Sequence, residues 1–342
     1  MTQDALSGLA DVRTERVGHM GRIVLDRPKR LNALDAGIAK AIDRVLDAWE
    51  HDDSVAVVVL ESSSPRAFCA GGDLRAIREA LLAHGPDSTF ELMDTAYTTM
   101  LRLADYPKPV VSLLDGIVMG GGVGIGCHVS HRIVTERSVL AMPETSIGLV
   151  TDAGGSWLLS RPGGHVGLRL ALTGGRVTGA QAVALGLADG LVPSDSLDAL
   201  RAALSEQNVD DALARFVTAP GDDGTVSATL EACYAAPDMA GILARLEACP
   251  LEEARQDLDD LSRASPSSLL ATWLGWHAAR KLGTLHDVFD LERRLVRHVL
   301  AQPDLAEGVR ARLVDRDNTP AWQPATLAEV DTAAIQRVVE GV

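Results

Sequence analysis

The chain has 342 residues, 46% of them hydrophobic and 23% charged, with a formal net charge of −15. That is ordinary globular composition at a length that holds one large domain or two smaller ones. The acidity argues against a broad electrostatic footprint for nucleic acid or for an anionic membrane, so neither is expected as a partner. It leaves room for a phosphate-bearing ligand held by local basic groups and backbone amides. Cys69, Cys127, Cys233 and Cys249 are sparse and lack CxxC spacing, so reduced thiols are expected rather than a disulfide scaffold or zinc ribbon. No apolar run reaches membrane-spanning length and Met1–Met20 lacks an apolar signal core, which makes a cytoplasmic location the expectation.

In chain order, Gly21–Arg27 reads as a strand, and Asp35–Trp49 spaces Ile38, Ile42, Val45 and Leu46 as one helix face. Val55–Glu61 is a buried strand by its β-branched density, and Leu74–Leu82 is a helix. Pro107 and Pro109 punctuate the chain before the strand-like Pro109–Gly116, whose Gly-rich continuation runs towards Ile133–Val134. Alternating strands and helices predict an α/β core with much parallel pairing. Thr178–Ala188 reads as a helix, Pro220–Gly224 as a loop, and nearly everything beyond Asp195 as helical. Ser265-Pro266-Ser267 has the form of a helix start, with a Ser cap and Pro in the first turn. Leu285–Leu300 is an amphipathic helix, and the polar tail Asn318–Pro324 is anchored by Trp322. The expected domains are a catalytic core over 1–195 and a helical region over 196–342.

Three segments carry candidate chemistry. Ala67–Leu74 and Gly116–Gly124 each follow a strand and precede a helix, and their glycines permit tight turns and close backbone approach to a ligand. One inward N–H from each could share a developing oxyanion, a donor worth about 3 kcal/mol in the transition state. Tight turns without a ligand would give the same pattern. The third segment, Met142–Gly155, sets Glu144 and Asp152 eight residues apart in a mostly apolar stretch. A buried carboxyl there suits acid–base work. The alternative is a solvated Glu144 and an Asp152 that caps a helix opening at Ala153. Cys127-His128 and Cys69 read as packing rather than as thiol nucleophiles. Arg27, Lys29 and Arg30 could reach phosphates or lie in solvent, His84, Tyr97 and Trp157 could line a pocket or pack, and Asp257–Asp260 reads as a solvated helix face.

Taken in order, with Asp26-Arg27-Pro28 and Leu31-Asn32-Ala33-Leu34 upstream and Lys108-Pro109-Val110-Val111 between, these segments resemble the crotonase (enoyl-CoA hydratase/isomerase) superfamily. The resemblance implies a spiral of repeated ββα units and an acyl-CoA substrate. Its thioester oxygen would be held by the amides of Gly72 and Gly121. It further implies that Lys29, Leu31, Ala70, Asp73, Tyr97 and Gly120 contact the substrate. No metal and no cofactor is expected, coenzyme A being part of the substrate, and a homo-oligomer is the family's usual form.

Within the superfamily, hydratases place a catalytic Glu three residues after the middle glycine of GGG, where this chain has Gly124. The resemblance therefore points to hydrolysis of a short 3-hydroxyacyl-CoA thioester, with Glu144 as nucleophile or general base and Asp152 binding the 3-hydroxyl or managing protons. It continues through Ser265–Leu269, Glu307–Ala311, Asp315-Arg316-Asp317 and Pro320–Pro324, beyond the end of simple hydratases. Val150-Thr151, Gly155–Leu158 and Ala96 depart from the hydrolase pattern around the expected acyl pocket. A hydratase or isomerase using Glu144, and a non-catalytic CoA-binding protein, are the alternatives.

Overall fold

The computed structural model describes residues 9, 11–219 and 227–342, so the loop expected at Pro220–Gly224 lies outside the described residues. The chain folds into two compact units. One comprises Met1–Gly72, Leu92–Leu140 and Val177–Gly224, and the other Asp73–Glu91, Ala141–Arg176 and Thr225–Val342.

The first unit holds the sheets. Its strands are β1 (Val12–Val17), β2 (Met20–Leu25), β3 (Val57–Ser62), β4 (Ala67–Cys69), β5 (Val110–Leu114), β6 (Ile117–Met119), β7 (His131–Val134), β8 (Val139–Ala141), β9 (Val177–Thr178) and β10 (Gly190–Leu191). A six-stranded sheet runs β1-β2-β3-β5-β7-β10 and a four-stranded one β4-β6-β8-β9. Only β1 is antiparallel to its neighbour in the larger sheet; β2, β3, β5, β7 and β10 pair in parallel. The chain alternates between the sheets. β3 enters the larger and β4 the smaller before a helix, and β5 with β6, then β7 with β8, repeat the move. This is the repeated ββα pattern expected from the resemblance.

Both faces of the large sheet are covered, as parallel pairing requires. Met20, Val57, Val59, Val111, Leu113, Ile133 and Val192 form a core with Leu200, Leu204 and Leu213 from the helices Leu197–Glu206 and Val209–Phe216. The helix Ala36–Glu50 is capped by Asp35, whose side chain accepts from the Ile38 amide, and it buries Ile38, Ile42, Val45, Leu46 and Trp49. Trp49 lies against Gly21, where a Cβ would sit 2.6 Å from its ring.

The second unit is mostly helical. Ser265 caps Pro266–Ala279 through the Ser268 amide, with Pro266 in the first turn, as the sequence predicts. Leu285–Leu300 buries Val288, Phe289, Leu291, Glu292, Leu295, Val296 and Val299. Trp322 anchors the tail by donating its indole N–H to the Arg263 carbonyl at 3.1 Å. The acidic run at Asp257 departs from expectation. Asp257 is 2% exposed, accepts both arms of the Arg169 guanidinium at 2.7 and 2.8 Å, and accepts the Tyr234 hydroxyl at 2.6 Å. A cation and a phenol satisfy the buried charge that helical periodicity had left facing water. The segment Leu74–Ala104 also runs past the expected Leu82, broken at Gly85, whose φ of 81° and ψ of 178° are non-helical. Among the described residues no helix is long and apolar enough to cross a membrane.

Candidate active site

In the sheet unit, the two Gly-rich loops come together. Leu34 forms a parallel bridge with Gly72, and its amide donates to the Gly71 carbonyl at 2.8 Å. A Cβ on Gly121 would lie 3.5 Å from the Gly72 nitrogen and 3.4 Å from Leu34 Cδ2. Sequence dictates that approach at Gly122, where a Cβ would stand 2.2 Å from the Cys69 carbonyl oxygen. Only glycine lets the loops close to this distance. Gly71 turns with a φ of 107°, in the region that disfavours any side chain.

Gly121 opens the helix Gly121–Gly126, so its N–H has no partner within that helix. Among the hydrogen bonds of the described residues, neither the Gly72 nor the Gly121 amide is used as a donor. Backbone amides left unbonded in adjoining loops are the kind of donor an oxyanion needs. Gly124 is buried in the same helix and brings no carboxylate to it.

Neighbouring groups are structural. The Cys69 thiol donates to the Asn32 carbonyl at 3.0 Å, and burial pushes it up to about 12. Cys127 is likewise pushed to about 12 by burial, so neither thiol is a nucleophile near neutrality. Asn32 fastens the first loop by donating to the Phe68 carbonyl at 2.9 Å. Arg27 is held by Asp35 at 3.1 Å and the Ala33 carbonyl at 3.0 Å, whereas Lys29 and Arg30 are exposed. Leu31 takes a left-handed turn with φ 51° and accepts the Ala70 amide at 3.0 Å. Gly120 caps the short helix with φ 49°, and Tyr97 is buried.

The second unit holds the acids. Glu144 opens a 3-10 turn, Glu144–Ile147, and is 4% exposed, with Oε2 buried and unpartnered. Burial drives its carboxyl well above the usual carboxylate range, and the negative charges of Asp152 and Glu292 add to the effect. Asp152 is 6% exposed. Asp73, also placed in this unit, is buried and its carbonyl accepts the Ile77 amide at 3.0 Å. His84 is exposed, and Trp157 packs beneath the Arg161 guanidinium at 3.9 Å.

Glu144 is buried rather than solvated, and the residue that caps the next helix is Gly154 rather than Asp152. The helix Gly155–Ser160 starts instead on Gly154, and its amides are met by Glu292, whose carboxylate accepts from Gly154 N at 2.7 Å and Ser156 N at 2.9 Å. Sequence reasoning missed Glu292. Its one signal was a carboxylate on the buried face of Leu285–Leu300.

The C-terminal motifs hold the Glu144 turn. The Ser265 amide donates to the Thr145 carbonyl at 3.1 Å, and the Ser265 hydroxyl donates to Asp304 at 2.6 Å. Arg310 gathers Glu307, Asp315 and Asp317 at 2.6 to 2.8 Å, and Glu307 accepts the Ala321 amide at 2.8 Å. Among the described residues no group of three His, Cys, Asp or Glu side chains is arranged to hold a metal.

The sequence profile described as enoyl-CoA hydratase/isomerase matches residues 20–339. The chain belongs to the enoyl-CoA hydratase/isomerase family. It is an enzyme of that family, whose members bind acyl-CoA substrates. It is 36% identical over 334 residues to the chicken (Gallus gallus) protein named "3-hydroxyisobutyryl-CoA hydrolase, mitochondrial", covering 94% of this chain and 86% of the relative. Among solved structures, one titled a carnitinyl-CoA dehydratase from Mycobacterium thermoresistibile superposes with a TM-score of 0.89 at 39% identity, covering 96% of each chain. Another, titled an enoyl-CoA hydratase from Rhodobacter sphaeroides, gives 0.84 at 36% identity over 96% of this chain and 97% of the other.

Proposed function

We propose that the protein hydrolyses the thioester of a short-chain 3-hydroxyacyl-CoA, with 3-hydroxyisobutyryl-CoA as the leading substrate, a step of valine catabolism. The observation that carries this reading is the glycine at position 124, where a hydratase of the family keeps a carboxylate, together with a buried Glu144 whose Oε2 has no hydrogen-bond partner. Adding water across a double bond calls for two carboxylates in the family's hydratase arrangement, and one of them is missing here. The name of the chicken relative supports the same substrate.

In this reading the thioester oxygen rests on the Gly72 and Gly121 amides, which strengthen their bonds as charge develops on it. Glu144 must be ionised to act. It either attacks the carbonyl carbon, expelling CoA thiolate and leaving a mixed anhydride that water cleaves, or it takes a proton from the attacking water. A carboxyl with raised proton affinity is the better base near neutrality. Asp152 binds the 3-hydroxyl or returns a proton to the departing thiolate. Single turnover in oxygen-18 water marks an anhydride opened at the Glu144 carbonyl by label in that carboxylate; because an anhydride opened at the acyl carbon labels only the product acid, hydroxylamine trapping of an acylated Glu144 separates that route from the general base.

The titles of the two solved structures favour a second reading, a hydratase or dehydratase that relies on Glu144. Thiol release from 3-hydroxyisobutyryl-CoA set against hydration of crotonyl-CoA distinguishes the two. The sparse cysteines favour a reducing compartment. The cytoplasm is the proposed one, against the mitochondrial name of the chicken relative.

A further inference from the structure

Glu292 is 1% exposed on the helix Leu285–Leu300. That helix packs against Gly155–Ser160, Pro266–Ala279, Asp304–Val309 and Thr332–Glu340. The charged or titratable groups on those elements are His277, Asp304, Glu307, Arg337 and Glu340, and among the described residues none forms an ion pair with Glu292. Its carboxylate is spent on two backbone amides, Gly154 and Ser156, one on each oxygen. Those amides follow Asp152 by two and four residues. The turn between them is unusual in that Ala153 and Gly154 both have positive φ, at 55° and 74°. A side chain at a positive φ is strained and persists only where its surroundings hold it. The two bonds to Glu292 are such a hold. The acidic groups that act on Glu144 are Asp152 and Glu292, and the one that acts on Glu292 is Asp152.

We propose that Glu292 is a positioning residue of the reaction: its carboxylate clamps the turn that carries Asp152 and presents a third negative charge to Glu144. A helix cap alone would ask for a Ser, Thr, Asp or Asn next to the helix, not a carboxylate brought from a remote helix that has no ion-pair partner among the described residues. Burial raises the Glu292 carboxyl to about 8 even though both oxygens accept N–H donors that favour the ion.

The inference rests on the hydrolase reading, so its test separates the two. Two variants divide reach from charge. Glu292→Gln keeps the length, loses the charge and can satisfy only one of the two amides. Glu292→Asp keeps the charge and falls short by one methylene. For the Gln variant we expect kcat to fall on the order of tenfold or more, KM to change less, and the acid limb of kcat/KM to move down by about one pH unit as a like charge leaves Glu144. For the Asp variant we expect the lower kcat with the limb in place. A Gln variant with the wild-type limb and kcat, lowered only in melting temperature, overturns the proposal. A limb displaced equally by both substitutions overturns its charge component. Should the Gln variant not fold, an Asp variant with wild-type kcat overturns the clamp. If the wild-type enzyme releases no thiol from any acyl-CoA, the hydrolase reading fails. Carbon-13 titration of the Glu144 carboxyl, assigned with Glu144→Gln, then decides on Glu292: a downward shift in the Gln variant is expected, and an unchanged titration rejects the proposal.

Discussion

Gly308 lies so close to Ile147 that a Cβ placed on it would sit 2.4 Å from the Ile147 carbonyl oxygen. The helix Asp304–Val309 thus presses its backbone on the turn that opens with Glu144. On the next residue, Gly148, a Cβ would lie 2.4 Å from the Asp304 backbone. The Glu-Gly-Val-Arg motif, far along the chain, is part of what shapes the turn that carries Glu144.

A methyl at 308 must push one backbone away from the other, and overpacking of this kind costs about 1–3 kcal/mol. Gly308→Ala is expected to lower the melting temperature by several degrees and to reduce kcat by displacing Glu144. Gly283→Ala is the control, since nothing lies within 4 Å of its Cβ position. It should melt within experimental error of the wild type. Equal melting temperatures for both variants would mean that the contact at Ile147 is relaxed in solution.

A second expectation concerns the two loops. Gly122→Ala places a methyl 2.2 Å from the Cys69 carbonyl oxygen and forces the Gly121 strand-to-helix turn off the Gly72 loop. Misplacing one oxyanion donor costs on the order of 10²-fold in kcat. Steady-state thiol release measures it, with circular dichroism to verify the fold. Undiminished kcat in a folded Gly122→Ala protein would remove these amides from the reaction.

The pattern of strands and helices was largely legible because burial leaves a period in the sequence. Val57 to Leu60 are all buried and β-branched or Leu, and Asp35 and Ser265 announce their helices by capping them. β1 was not legible. It is an edge strand with only Val12 fully buried, and its Arg, Thr and Glu read as solvated chain. The composition changes near residue 195, whereas the compact units interleave along the chain. Two helices beyond that point, Leu197–Glu206 and Val209–Phe216, cover the large sheet. Glu144 and the glycines stood out because their neighbours are apolar. Glu292 did not, because Arg293 and Arg294 follow it and give it the look of a surface charge.

The buried acids also set a pH dependence of stability. Glu144 and Glu292 both bind protons more tightly in the folded chain than in the unfolded one. Such groups make the folded state less stable as pH rises from the unfolded value of about 4.5 through the folded one, about 8 for Glu292. The histidines His165, His277 and His298 are held below 6.5 and act in the opposite sense, but only up to 6.5. Between about 6.5 and 8 the carboxylates stand alone among these groups, so the melting temperature should fall with rising pH. Glu144→Gln and Glu292→Gln should each flatten that slope. A melting temperature that rises over this interval in the wild type would mean that the acids ionise without penalty.

In the proposed reaction Glu144 drives cleavage of a thioester. Free-thiol release from 3-hydroxyisobutyryl-CoA and a panel of short 3-hydroxyacyl- and enoyl-CoA esters, by the wild type and by Glu144→Gln, tests it most directly. The wild type is expected to turn over the 3-hydroxyacyl esters, fastest with 3-hydroxyisobutyryl-CoA. The folded Gln variant is expected to lose about 10²-fold or more in kcat, as when a general base or nucleophile is removed. Retained thiol release in Glu144→Gln, or hydration of crotonyl-CoA by the wild type with no thiol released from any ester, would contradict it.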